Sequence, residues 1–124
     1  MKYRLRRRDK LKSRKLAEQV FNEGKAINSF PLKLIYLVKE PENDSSLKMG
    51  CSVSKRLFKK AVNRNKIKRL IRESYRSNKP LIFNNITTQC AFMILYIGKS
   101  MPSYYEIHKS MTPLLKKLKQ EIEP

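Results

Sequence analysis

Apolar residues recur along the chain with two different periods, and each change of period marks an element. Leu16, Ala17, Val20 and Phe21 stand at i, i+1, i+4 and i+5, the stripe of a helix with one apolar side. Ser13 offers an N-cap oxygen, and Gly24 is expected to end the helix by taking the left-handed C′ conformation. A helix of about ten residues is too short to stand alone, so its apolar side must dock. The stretch near 25–30 adds a short edge strand. FPLKLIYLVKE, from Phe30 to Glu40, is rich in β-formers, and Pro31 suits the start of a strand. PENDSS is a turn cluster. Beyond it Leu47, Met49, Cys51 and Val53 alternate with Lys48, Gly50, Ser52 and Ser54. That is a half-buried strand, expected to run antiparallel to its predecessor through the turn.

AVNRNKIKRLIRESYR, from Ala61 to Arg76, returns to the helical period. At about 100° per residue and with Ile67 as zero, Leu70, Ile71 and Ser74 fall within about 60° of it. Lys68, Asn65, Arg72, Arg76 and Arg69 fall between about 100° and 200°. One side of this helix packs and the other is cationic. Val62 falls on the cationic side, so regular helix is expected to begin just after it, and Asn78 and Pro80 are expected to close it. CAFMILYI, from Cys90 to Ile97, is apolar on both parities, as a strand covered on both faces requires. Ser103 and Glu106 make a capping box. Ile107, Met111, Leu114, Leu115, Leu118 and Ile122 then repeat at helical spacing. Pro113 lies inside that repeat and predicts a kink or an offset start, since an interior proline costs about 3 kcal/mol.

The resulting order is α-β-β-β-α-β-α. A strand, a crossover helix and a strand across residues 47–97 imply a parallel pair. The fold class is α+β: one mixed four-stranded sheet with three helices packed on it. A chain of 124 residues suits a single domain. Residues 13–122 form that domain. Residues 1–12 hold seven basic groups, one acid and few apolar positions, and read as a mobile arm.

Charge narrows the function. The chain carries 29 Lys and Arg against 10 Asp and Glu, a net charge of +19. Self-repulsion of that size destabilises a compact fold and attracts polyanions from a distance, and a basic pI is the electrostatic footprint of nucleic-acid binding. The basic N-terminus is followed by no apolar stretch, so it is not a secretory signal. The longest apolar run, Cys90 to Ile97, falls far short of the ~20 residues of a membrane helix. A cytoplasmic location is expected, with Cys51 and Cys90 as buried thiols.

Catalytic chemistry is sparse. His108 is the single histidine, sits beside core Ile107, and reads as structural or solvated. The acids are scattered, no CxxC spacing exists, and three glycines make no phosphate loop. No catalytic residue and no metal ligand is assigned to the polypeptide. Binding chemistry is plentiful. Lys55, Arg56, Lys59 and Lys60 precede the second helix, and Arg64, Lys66, Lys68, Arg69, Arg72 and Arg76 line it, with Glu73 the only acid between 55 and 79. Arg grips phosphate with two parallel hydrogen bonds and Lys acts as a point charge. Asn65 among them both donates and accepts, as a base edge or a 2′-hydroxyl requires. Phe21 and Tyr36 either stack unpaired bases or belong to the core.

MGCSVSKRLFKKAVNRNKIKRLIRESYR, residues 49–76, resembles the signature of the protein subunit of bacterial ribonuclease P. LAEQVFNEG and the PEND turn resemble that family in the right order. The resemblance implies an α/β sandwich with a left-handed βαβ crossover. It also implies a non-catalytic subunit of a ribonucleoprotein endonuclease, whose RNA removes the 5′ leader of precursor tRNA using Mg2+ held mainly by that RNA. The implied partners are this catalytic RNA and precursor tRNA, with the protein a monomer in the complex. Carried over, Arg64, Asn65, Lys66, Lys68, Arg69 and Arg72 face RNA, and Phe21 and Tyr36 line a leader cleft between the first helix and the sheet. Three positions depart from the pattern. Lys66 replaces the motif's second arginine and Ala17 a frequent aromatic, and LFKK lacks the loop's usual glycine. The competing readings are a ribosomal or assembly-type RNA-binding module, which lacks leader discrimination, and a membrane-surface protein, which needs exposed apolar residues beside the cations.

Overall fold

A strand that is apolar on both parities needs cover on both faces and a neighbour on each side. In the computed structural model, which describes residues 10–11, 13–38, 47–83 and 89–123, that strand is interior to the sheet. The elements are α1 (Arg14–Glu23), β1 (Lys25–Ser29), β2 (Leu32–Val38), β3 (Leu47–Val53), α2 (Ala61–Ile82), β4 (Cys90–Tyr96) and α3 (Tyr104–Ile122). The sheet order is β1-β2-β4-β3. β2 pairs antiparallel with β4, with Leu34 opposite Ile94, and β3 pairs parallel with β4, with Cys51 opposite Ile94. β3 therefore runs antiparallel to β2, as expected, but the two do not pair: β4 is inserted between them, because its doubly apolar surface belongs at the centre. The PENDSS turn itself lies outside the described residues, as do residues 1–9 and 12 of the basic arm. Lys10 and Leu11 are described: Lys10 bridges Met49 in parallel, and the Leu11 N–H donates to the Met49 carbonyl at 2.9 Å.

The two faces of the sheet are covered unequally. Leu32, Leu34, Met49, Phe92 and Ile94 join Ile67, Ile71 and Tyr75 of α2 and Ile107, Met111, Leu114, Leu115 and Leu118 of α3 in the main core. On the other face the buried residues are Val20, Ala91 and Met93, with Leu11, Leu16, Ile35 and Leu37 packed around them. Among the described residues α1 and Leu11 cover that second face, and cover it thinly, so room remains for a groove.

The helix ends depart from local rules in places. Ser13 Oγ accepts from the Leu16 N–H at 3.2 Å, as its cap role predicts. Gly24 closes α1 at φ −77° and ψ 164°, which is extended backbone and not the left-handed cap expected. Its glycine is required by crowding instead: a Cβ there would meet the Val20 carbonyl, the Tyr36 carbonyl at 2.7 Å and Ile35 Cγ2 at 2.8 Å. The chain turns from α1 into β1 directly against β2. α2 runs through Asn78 and Pro80 to Ile82, past the expected stop. Asn78 is buried and satisfied. Its Nδ2 donates to the Ser74 carbonyl at 2.8 Å, and its Oδ1 accepts from Thr112 Oγ1 of α3 at 3.0 Å. Pro80 is exposed and close to the helix end. α3 forms with its capping box and continues past Pro113 without an offset start. That proline is exposed, on the side of the helix open to water, where the carbonyl it leaves free can be hydrated.

Both cysteines are free. Burial pushes the Cys90 thiol up to about 12. Burial also raises Cys51, with Arg72 and Lys68 pulling it partly back, and burial raises the Tyr36 and Tyr96 hydroxyls. An exposed thiol ionises near 9.0, so above that pH the unfolded chain releases protons that the folded chain keeps. The Cys90 contribution is then complete below about pH 9 and falls as pH rises toward 12, by about 1.4 kcal/mol per pH unit. Urea midpoints measured from neutral pH to about pH 11 should decline over the upper part of that range, and a Cys90→Ala variant should show a shallower decline.

Candidate nucleic-acid interface

α2 is divided as its periodicity demands. Ile67, Ile71, Ser74, Tyr75, Asn78 and Ile82 are buried, and Leu70 packs at the margin of the core. Asn65, Lys66, Arg69 and Arg72 are exposed on the other side, with Lys68 and Arg76 half-buried beside them. Tyr75 rests edge-on against Phe92 of β4 at 5.6 Å between ring centres, which fixes the helix on the sheet and aims its cations outward. The first turn of α2 contains no acid, and Lys60 gives no side-chain cap. The positive end of the helix dipole therefore adds to the cations.

The loop before α2 is built without glycine. Ser54 Oγ accepts from the Arg56 and Leu57 N–H groups at 3.2 and 3.3 Å, and the Phe58 N–H donates to the Ser54 carbonyl at 3.0 Å. Phe58 is buried and packs on Tyr96 at 5.8 Å between ring centres. Lys55, Arg56, Lys59 and Lys60 are left exposed. Arg64 completes the loop. Its Nη1 donates to the Phe58 carbonyl at 2.7 Å and to the Lys59 carbonyl at 2.9 Å. Arg64 is thus a staple of the loop, unlike the outward cations with which its sequence spacing groups it. The wheel carries the signal: Arg64 lies about 60° from Ile67, at the border of the packed side.

Between the start of α1, the edge of β3 and Arg72 lies a groove of about 450 Å³, lined among others by Lys10, Leu11, Arg14, Ala17, Gly50 and Cys51. Gly50 keeps its floor open. A Cβ there would meet Met93 Sδ and, at 3.4 Å, Leu11 Cβ. Arg72 belongs to both features, so the cationic ridge and the groove are one continuous surface. Phe21 is 44% exposed and stands one helical turn beyond Ala17, on the same side of α1. Tyr36 does not join it. In β2 it shares parity with buried Leu32 and Leu34, is 6% exposed, belongs to the main core and has its hydroxyl near the Glu121 carboxylate of α3. The sheet separates it from α1, and the placement of Tyr36 in a cleft with Phe21 is corrected. The parity of Leu32, Leu34 and Tyr36 is the signal that assigns it. Lys10, Arg14 and Gly50 are groove residues that the sequence alone does not single out. No local motif marks Lys10 or Arg14, because only tertiary packing brings them together: Lys10 bridges Met49 of β3, and Arg14 opens a helix docked on β4 and β2.

His108 has a structural setting. Its Nδ1 lies 2.9 Å from Ser74 Oγ and 3.3 Å from the Tyr104 hydroxyl, and its ring stacks on Tyr104. Ser74 is completely buried, so this Ser–His pair meets no substrate and instead joins α2 to α3. Among the described residues no three His, Cys, Asp or Glu side chains converge to hold a metal ion, and no helix is long and apolar enough to cross a membrane.

The family model described as Ribonuclease P matches residues 5–119. The ribonuclease P protein component of Porphyromonas gingivalis strain ATCC 33277 is 35% identical over 97 residues, covering 74% of this chain and 69% of the relative. That of Chlorobium phaeobacteroides is 32% identical over 126 residues, covering 90% and 85%. The fold is similar to the solved RNase P protein of Staphylococcus aureus, with a TM-score of 0.71 at 23% identity over 90% of this chain and 95% of the other. It is also similar to that of Thermotoga maritima, with a TM-score of 0.69 at 22% identity over 87% and 96%.

Proposed function

The chain belongs to the ribonuclease P protein family, and from that premise we propose that it is the RNA-binding subunit of a ribonucleoprotein endonuclease that matures the 5′ ends of tRNA. The observation that carries this reading is the continuity of two surfaces at Arg72: an outward cationic side of α2 and a groove beside α1. The ridge of Asn65, Lys66, Lys68, Arg69, Arg72 and Arg76, with Lys55, Arg56, Lys59 and Lys60 at its foot, binds the catalytic RNA. Lys66 serves as a point charge in place of a planar fork. The groove and Phe21 receive the unpaired 5′ leader of precursor tRNA. Bringing two polyanions together costs repulsion, and the ridge offsets it by neutralising phosphates and releasing counterions.

Bond cleavage is assigned to the RNA, together with the Mg2+ that it holds. The polypeptide's part is to bind and orient, as a monomer within a cytoplasmic complex. Among its described residues no three His, Cys, Asp or Glu side chains converge on a metal position, and the serine of its Ser–His pair is closed to solvent. An assembly-type RNA-binding module would use the ridge equally well but has no use for the groove, so leader dependence separates the two readings. The complex of protein and catalytic RNA should bind precursor tRNA more tightly than mature tRNA; equal affinities would defeat the leader assignment. Phe21→Ala should weaken leader-bearing substrate about fivefold or more, the loss of one stacked base, while leaving association with the catalytic RNA near its original strength. Equal losses in the two assays would mean that Phe21 supports the fold and not the leader.

A further inference from the structure

A second pocket, of about 290 Å³, opens where the β1–β2 turn, the end of β4 and the first turns of α3 meet. Phe30 and Pro31 form one wall, Gly98, Lys99 and Ser100 another, and Glu106 and Lys109 of α3 a third. Its size is at the lower end of ligand pockets, about 300 Å³, and suits one nucleobase. Phe30 is 74% exposed, yet its backbone is held. Ser110 Oγ donates to the Phe30 carbonyl at 2.8 Å, and the Ile97 N–H donates to the Pro31 carbonyl at 2.8 Å. The opposite wall is equally fixed, because the Tyr96 hydroxyl donates to the Ser100 carbonyl at 2.6 Å. Gly98 lets the Tyr96 ring lie against the backbone, since a Cβ there would meet its hydroxyl and, at 2.6 Å, its Cζ.

We infer that this pocket is a second RNA subsite, taking one unpaired nucleotide of a single strand. Phe30 offers an aromatic face on a fixed backbone for the base, and stacking on such a face tolerates any sequence. Lys99 and Lys109 flank it as phosphate partners, and the Glu106 carboxylate can accept from a base N–H group such as the uracil N3–H. The pocket is also correctly placed for a strand that has left the ridge. Val53 pairs with Tyr96, so the loop carrying Lys55 and Arg56 and the segment carrying Lys99 leave the sheet at the same end. Phe58 of that loop packs on Tyr96, which itself lines the pocket. The subsite presupposes the RNA-binding role proposed above and adds a point of attachment that α2 and the groove do not supply.

The test uses the full chain and a fluorescently labelled, unstructured single-stranded oligouridine long enough to cross both surfaces. Phe30→Ala should weaken binding about fivefold or more, and Phe30→Tyr should restore it. The Lys99→Ala, Lys109→Ala double variant leaves the turn untouched. It should make the slope of log affinity against log salt shallower by about 0.7 for each phosphate that is no longer neutralised. Amide resonances of Gly98–Ser100 and Ser110 should move on titration. If Phe30→Ala and the double variant bind as the parent does while Arg69→Ala weakens binding, the subsite is refuted and the ridge stands. If the oligonucleotide binds nowhere on the protein, the subsite and the RNA-binding reading fall together.

Discussion

Replacing Arg69 and Arg72 together by alanine is expected to weaken association with the catalytic RNA about tenfold or more for each side chain, the cost of a hydrogen bond to a charged group. Both residues are exposed on the outward side of α2, so neither substitution opens the core. Arg69 meets only the ridge, whereas Arg72 also lines the groove and lies against Cys51. The slope of log affinity against log salt should become shallower by about 0.7–0.9 for each phosphate left without its cation. Filter binding of the catalytic RNA over a range of salt concentrations measures both quantities. A large loss of affinity with an unchanged slope would mean that these arginines read bases or packing and not phosphate. Thermal unfolding of the double variant should match the parent, which separates the effect from the next one.

Phe92→Ala should instead destabilise the whole domain, by about 3–5 kcal/mol. Phe92 is completely buried at the centre of β4, flanked by Tyr36 of β2 and Met49 of β3. It makes the edge-on contact with Tyr75 that seats α2 on the sheet. Removing the ring leaves a cavity beneath the helix that presents the ridge. A domain of this size has only about 5–15 kcal/mol of stability in total, so a loss of that order exposes the fold to unfolding near physiological temperature. Urea unfolding monitored by circular dichroism checks it. A loss below about 1 kcal/mol would show that α2 and the sheet are more loosely coupled than the packing implies. RNA affinity of the folded fraction should be affected far less than in the arginine variant, because Phe92 lies beneath the helix and the ridge faces away from it.

How much of the fold is written in the pattern of residues differs from element to element. α3 is legible nearly whole: Ile107, Met111, Leu114, Leu115, Leu118 and Ile122 are all buried, because a helical stripe against a sheet has one way to face. The division of α2 is legible for the same reason. Its end is not. Asn78 and Pro80 are local breakers, but Asn78 gains a partner on α3 that is 34 residues away in sequence, and no local rule reports such a bond. The strand order is obscured by the opposite effect. Strands adjacent in sequence pair or neighbour about two-thirds of the time, and that tendency favours β3 beside β2. The double apolarity of Cys90–Ile97 requires an interior strand, and in this sheet that requirement prevails. Gly24 marks the right place for a different reason, since crowding by β2 and not backbone handedness demands it.

The candidate site divides in the same way. The outward cations of α2 follow from period and charge alone. Arg64 resembles them by type, although its angle on the helix places it over the loop carbonyls. Tyr36 resembles Phe21 by chemistry, although alternation along β2 sends it to the opposite face. Residue type shows what chemistry is available, while period and parity show where that chemistry can point. The groove needs a third kind of information, the docking of α1 on β4 and β2 and the bridge from Lys10 to Met49 of β3. That docking joins residues far apart in the chain and leaves no local trace.

If this polypeptide binds and orients RNA while an RNA partner breaks the bond, each component assayed alone must fall short of the two together. The deciding quantity is the rate of precursor-tRNA cleavage by a bacterial ribonuclease P RNA at low magnesium, compared with the RNA alone and the protein alone. Slow cleavage by the RNA alone is expected, with a marked acceleration at the same site when the protein is added, and no cleavage by the protein alone. Cleavage at the mature 5′ end by the purified protein without RNA, or a rate for the RNA that the protein leaves unchanged, would contradict that division of labour.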